Sequence, residues 1–145
     1  MKGKQLIVSI VMVCFALTLF AGTAAAEKVL KVGIIGPFTG PSAKSGAEFK
    51  GSVTMAFEKV NNMVGDYRLE PVWVDSQSDP AKVASAYSEA CERIGIQAGV
   101  INWHSSTAVA AMDVAAQYKV PHMFGFGATE VVNEKWRSDP EKYSY

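Results

Sequence analysis

The sequence predicts an α/β domain built on a doubly wound parallel sheet. Short β-branched, apolar runs alternate with stretches of helical periodicity four times after residue 26. The connections between them are short. The segments that follow the strand-like runs are crowded with Gly, Ser and Thr. A parallel strand pair needs a crossover, so this alternation puts helices on both faces of one sheet.

Residues 30–36, LKVGIIG, end in Gly-Pro and form the first strand. A turn-rich loop, PFTGPSAKSG, leads to a helix over residues 46–63. Phe49, Val53, Ala56, Phe57 and Val60 share its apolar face. Ser45 and Glu48 have capping-box spacing, in which hydroxyl and carboxylate satisfy free N–H groups at a helix start. Asn61, Asn62 and Gly65 end this helix. Residues 68–74, RLEPVWV, form the second strand. Pro71 puts it at a sheet edge, because proline donates nothing to a ladder. In the next segment, DSQSDP, Asp79 is a suitable N-cap and Pro80 suits the first helical position. Val83, Tyr87, Cys91 and Ile94 make the second helical stripe. Residues 97–101 form the third strand, and residues 107–118 the third helix, with Ala108, Met112 and Ala115 inward. Residues 120–126 form the fourth strand, and a short helix is expected from about Glu130.

The first 26 residues stand apart. Lys2 and Lys4 precede an apolar run over residues 6–20, and Ala24, Ala25 and Ala26 supply small residues before a cut ahead of Glu27. This is the pattern of a cleaved signal peptide. The apolar run falls short of the ~20 residues of a membrane span. A lipid anchor at Cys14 is disfavoured, because the bulky Val13 precedes it. Without this segment the chain keeps twelve basic and fourteen acidic side chains, a net charge of about −2. No nucleic-acid footprint is present. Cys91 is then the only thiol. It can form no intrachain disulfide and reads as a small core side chain.

In doubly wound sheets, ligands bind beyond the carboxyl ends of the strands, where strand order reverses. In a flavodoxin-like order 2-1-3-4 the reversal lies between the first and third strands. Residues 38–45, 102–107 and 125–130 then meet on one rim. Helix N-termini there offer unpaired N–H groups and a partial positive charge, which suit a carboxylate or phosphate. Ser105 reads as a helix cap, with Ser106 and Thr107 facing the rim; for Ser106 a structural role is equally compatible with the pattern. Trp103 and Phe126 flank the rim, as pocket walls or as packing aromatics. No dinucleotide fingerprint or Walker loop occurs, so no cofactor is expected. His104 and His122 lack metal partners at useful spacing and read as polar or packing residues. Ser105 beside His104 makes no triad, and no catalytic set can be assembled. Asp113 is expected on a solvated helix face.

KVGIIGPFTGPSAKSGAEFKGSVTMAFEKVN, VDSQSDPAKV, NWHSS and GFGATE together resemble the type I periplasmic binding proteins, the substrate-binding components of branched-chain amino-acid ABC transporters. The resemblance implies a two-lobed clamshell with residues 27–145 as its N-terminal lobe, incomplete beside family members well above ~200 residues. It implies non-catalytic capture of a small amino acid or related carboxylate in the periplasm, for an inner-membrane ABC permease, by a monomer. The same clamshell also serves as the ligand-binding ectodomain of sensors. Matched to the family's motifs, Ser106, Gly127 and Thr129 would hold the ligand's carboxylate and ammonium, with Ser105 and Thr107 beside them. Ser45 stands where the family often has an aromatic against the ligand side chain.

Overall fold

The nine residues Lys28–Gly36 form β1, the central strand of a five-stranded sheet in the order β2-β3-β1-β4-β5. The computed structural model describes residues 27–125 and 129–145. The proposed signal segment and the end of the fourth expected strand lie outside those residues. Strand β3 (Tyr67–Asp75) runs parallel to one side of β1, and β4 (Ala98–Ile101) parallel to the other. Strand β5 (His122–Phe124) extends the parallel sheet beyond β4. The expected 2-1-3-4 order is therefore present in β3-β1-β4-β5. Pro71 sits opposite Val32 of β1, on the open outer half of β3.

Strand β2 (Met63–Val64) was not expected. It pairs antiparallel with Arg68 and Tyr67. The first helix, α1, spans Ala43–Lys59, so the expected span of 46–63 is displaced towards the N-terminus at both ends. Asn61 and Asn62 take left-handed φ of 53° and 54°, which turns the chain out of the helix and into the hairpin. The expected capping box is also absent. Ser45 and Glu48 lie inside the helix, and the cap position falls to Ser42, whose side chain makes no cap bond.

Helix α2 (Pro80–Glu89) starts as the sequence predicts. Asp79 Oδ1 accepts from the N–H groups of Ala81 at 2.8 Å and Lys82 at 3.0 Å. A π turn, Ala90–Ile94, extends it, closed by Gly95 N–H donating to Ala90 O at 3.0 Å. The turn is wider than an α turn and rotates the apolar stripe. Ala90 is buried in place of Ile94, which is exposed, and Cys91 is half-buried. Helix α3 (Ser105–Tyr118) buries Ala108, Met112 and Ala115 as expected, together with Thr107, Ala111 and Val114. Helix α4 is Thr129–Ser138.

One core lies between the sheet and α2 and α3, built from Ile35, Val74, Val83, Tyr87, Ile101, Ala111 and their neighbours. Side chains alternate along a strand, so Ile34 and Trp73 face the opposite side. Phe38 packs its edge on Trp73 there, and Phe49 of α1 stacks on Phe38. Thus α1 covers one face while α2 and α3 cover the other, the doubly wound arrangement. Gly46 is what allows α1 to seat closely: a Cβ there would lie 2.1 Å from Pro37 O. Asp113 is exposed but ordered by partners. It takes Lys135 Nζ at 2.6 Å and Tyr143 O–H at 2.8 Å, joining α3 to α4 and the C-terminal turn.

Candidate functional site

The chain leaves β1 towards one face of the sheet and β4 towards the other, so their following loops part at the reversal. The loop after β1 is anchored from the neighbouring strand. Asp75, at the end of β3, accepts from Thr39 N–H at 3.1 Å, Thr39 O–H at 2.5 Å and Gln77 N–H at 3.0 Å. Partial burial draws the Asp75 carboxyl upward. Its hydrogen bonds from Thr39 and the neighbouring backbone outweigh this and hold it below the usual carboxylate range. Gly40 then turns the chain at φ 86° towards Ser42. Ser42 Oγ lies 3.3 Å from His104 Nε2, across the reversal. Three loops therefore touch in sequence: after β3, after β1 and after β4.

The loop after β4 is short and strained. Asn102 N–H donates to Ile35 O at 3.2 Å, and Asn102 Oδ1 accepts from Trp103 N–H at 2.8 Å. Trp103 has φ 97°, a region that bulky residues avoid at a cost of roughly 1–3 kcal/mol. Its side chain is 41% exposed. His104 takes the N-cap position of α3 without a side-chain cap bond, so Ser105 becomes the first helical residue rather than the cap. His104 Nδ1 is buried without a partner among the described residues.

The expected site residues separate under this geometry. Ser106 is exposed in the first turn of α3, at the rim. Ser105 is half-buried beside it. Thr107 does not face the rim: it is 1% exposed and its hydroxyl donates to His104 O at 2.9 Å, within the helix start. Ser45 is half-buried in the first turn of α1, not in the loop before it. Gly127, Phe126 and the side chain of Thr129 lie outside the described residues. Thr39 and Ser42 lie in the 38–45 loop that the sequence placed on the rim, but neither is singled out there. Asp75 escaped the sequence reading: its only local signal is the Asp-Ser-Gln-Ser-Asp-Pro segment, which also reads as an ordinary helix entry.

His122 sits below the rim, at the start of β5. Its Nδ1 lies 2.8 Å from Tyr87 O–H, and its ring packs against Tyr87 and Phe124. Burial lowers its pKa to about 4. It is a packing residue, as expected. Burial, then the neighbouring Glu92, raises the Cys91 thiol to about 11, which keeps it protonated and unreactive. Among the described residues no group of three His, Cys, Asp or Glu side chains is placed to hold a metal. No helix among them is long and apolar enough to cross a membrane.

Residues 29–144 match the periplasmic binding protein family. The chain belongs to that family. A Leu/Ile/Val-binding protein homolog from Brucella abortus (strain 2308) is 32% identical over 127 residues, 87% of this chain and 33% of the relative. This periplasmic-binding-protein chain thus spans about a third of the length of the curated relatives it matches. Among solved structures, a Rhodopseudomonas palustris ABC-transporter solute-binding protein in complex with 4-hydroxybenzoate superposes with a TM-score of 0.69 at 28% identity, covering 74% of this chain and 30% of that one. A branched-chain amino acid transporter substrate-binding protein from Streptococcus pneumoniae, in complex with isoleucine, gives 0.68 at 21% identity, with coverage of 74% and 31%, and shares the fold. The family and these neighbours are solute-binding proteins, not enzymes. The lobe's β-sheet order is that of the type I fold. The family name carries an extracytoplasmic location.

Proposed function

We propose that the protein captures a small carboxylate-bearing solute outside the cytoplasm, an amino acid or an aromatic acid, and delivers it to an inner-membrane ABC permease. The carrying observation is the rim at the strand reversal, where exposed Ser106 opens α3 beside the touching loops after β1 and β4. A hydroxyl at a helix start, with that end's partial positive charge, suits a carboxylate. The Leu/Ile/Val-binding relative and the neighbour holding 4-hydroxybenzoate support a ligand of this kind: a compact carboxylate on an apolar body. Residues 1–26 act as a cleaved export signal in this reading, and the binding protein works as a monomer. Ser105, Gly127 and Thr129 are proposed to join Ser106 around the carboxylate. A second lobe would close over the ligand, so that closure and affinity are linked.

The test is calorimetric titration of the protein, purified as its own gene encodes it, with leucine, isoleucine, valine, 4-hydroxybenzoate and 3,4-dihydroxybenzoate. One of these is expected to bind saturably. Ser106→Ala should then weaken binding by ~1–3 kcal/mol, by leaving a charged acceptor without its donor. Absence of saturable binding across the set would remove the proposal.

A further inference from the structure

The loop after β1 is exposed from Thr39 to Pro41, and those residues supply no side chain to the core. Ordering an exposed loop costs backbone entropy that apolar burial there does not return. The end of β3 nevertheless holds it in three ways. Ser76, 1% exposed, donates its N–H to Gly36 O at 2.8 Å, where the loop begins. Asp75 Oδ1 accepts from Thr39 N–H at 3.1 Å and Gln77 N–H at 3.0 Å, while Oδ2 accepts from the Thr39 hydroxyl at 2.5 Å. Gly40 then passes so close that a Cβ on it would lie 3.0 Å from Gln77 O. Further along, the same loop meets the start of α3: Ser42 Oγ lies 3.3 Å from His104 Nε2, two residues before Ser106. The end of β3 thus fixes one part of a loop whose other part lies against the helix start that carries Ser106.

We infer that Asp75 is a positioning residue for solute capture: through Thr39 it holds the loop after β1 against the start of α3 before a solute arrives. This rests on the solute-binding reading above. Both carboxylate oxygens are engaged by the loops after β1 and β3, so Asp75 acts through Thr39 and not by contact with the solute. A charged acceptor binds the Thr39 donors more strongly than a neutral one would. A loop ordered in advance removes the entropy cost of ordering it on binding, and the difference appears as affinity. Without the Thr39 hydroxyl the loop is loose in the free protein and takes its place only in the complex.

Thr39→Val removes the hydroxyl at nearly constant volume, and Thr39→Ser keeps it. Calorimetry would use whichever of leucine, isoleucine, valine, 4-hydroxybenzoate and 3,4-dihydroxybenzoate the unmodified protein binds. Thr39→Val should weaken that binding by about tenfold, the scale of one lost bond to a charged acceptor. Thr39→Ser should stay within about threefold. Amide hydrogen exchange reads the cause. In the free Val variant, residues 38–45 should exchange faster than in the unmodified protein, and solute should restore their protection. Asp75→Asn keeps the shape and removes the charge; it should lower affinity and protection in the same direction, and it stands in if Thr39→Val does not fold. A folded variant that binds within about threefold of the unmodified protein, or whose protection over 38–45 is unchanged, overturns the inference and leaves the solute-binding reading standing. A Ser variant as weak as the Val variant also overturns it, because the hydroxyl would then not be what holds the loop. If neither Thr39→Val nor Asp75→Asn folds, the pair serves folding and the inference falls. If the unmodified protein binds none of the set, the solute-binding reading fails and this inference with it.

Discussion

Asp75 shows how one side chain can order the loops at the strand reversal. Three donors converge on its carboxylate, two of them from Thr39 on the loop after β1. Asp75→Asn should cost about 1–2 kcal/mol at neutral pH, because hydrogen bonds to a charged acceptor are stronger than neutral ones. Its folded carboxyl titrates below the unfolded value of 3.8, so its contribution is complete above that pH and is lost as pH falls through the folded value. Urea denaturation at pH 7 and pH 3 checks both: the penalty of the Asn variant should shrink at the lower pH. Trp103 and Asp75 also differ in legibility. Trp103 could be singled out as a flanking aromatic from the sequence, but its φ of 97° could not, since nothing in Asn-Trp-His demands a left-handed backbone. The partnership of Asp75 with Thr39 spans 36 residues and exists only because β3 lies beside β1.

At the scale of elements, local chemistry decided the helix starts unequally. The Asp79-Pro80 entry to α2 forms as the sequence predicts, and Asp79→Ala should destabilise by ~0.5–2 kcal/mol in thermal or chemical denaturation. The Ser45–Glu48 box does not form, although its spacing is correct. The chain enters α1 three residues earlier, and the close seat of Gly46 against Pro37 fixes that entry. Tertiary contact here overrides a weak local preference. The end of α3 offers a complementary test. Lys119 closes the helix in the left-handed region at φ 54°, with its N–H donating to Ala115 O. Lys119→Gly should stabilise the lobe by ~0.5–1 kcal/mol, measured as a higher urea midpoint with unchanged slope. The displaced stripe of α2 belongs to the same lesson. Val83, Tyr87 and Ala90 obey the helical period, but the π turn that begins at Ala90 breaks it and leaves Ile94 exposed.

The whole lobe carries an acid sensitivity set by its core. Burial keeps His122 neutral down to about pH 4, whereas the unfolded chain protonates it near 6.5. The unfolded state therefore binds more protons between those values. Stability should fall as pH drops from about 6.5 to about 4, by up to ~3 kcal/mol from this group, and then level off for it. His122→Phe should flatten that slope in denaturation midpoints taken at pH 7, 5.5 and 4. The site beneath is tight: a Cβ on Gly99 would lie 2.5 Å from the Tyr87 hydroxyl and 2.6 Å from His122 Nδ1. Gly99→Ala should accordingly cost ~1–3 kcal/mol through overpacking, read in the same midpoints.

The sequence by itself determined the fold class, the order of the four parallel strands and the place of a rim at their reversal; Pro71 does lie on an open side of its strand, although β2 and not β3 is the edge strand. The fold class, the order and the rim follow from periodicity, turn residues and chain-crossing rules, all of which act over a few residues or apply to any parallel sheet. Only the tertiary structure decided which side chains occupy that rim. It turned Thr107 inward, drew Ser45 into a helix, joined Asp75 to Thr39 and set Ser42 beside His104. Those outcomes depend on which loops the sheet brings side by side and how closely they pack. Such contacts join residues dozens of positions apart, and no short stretch of the chain encodes them.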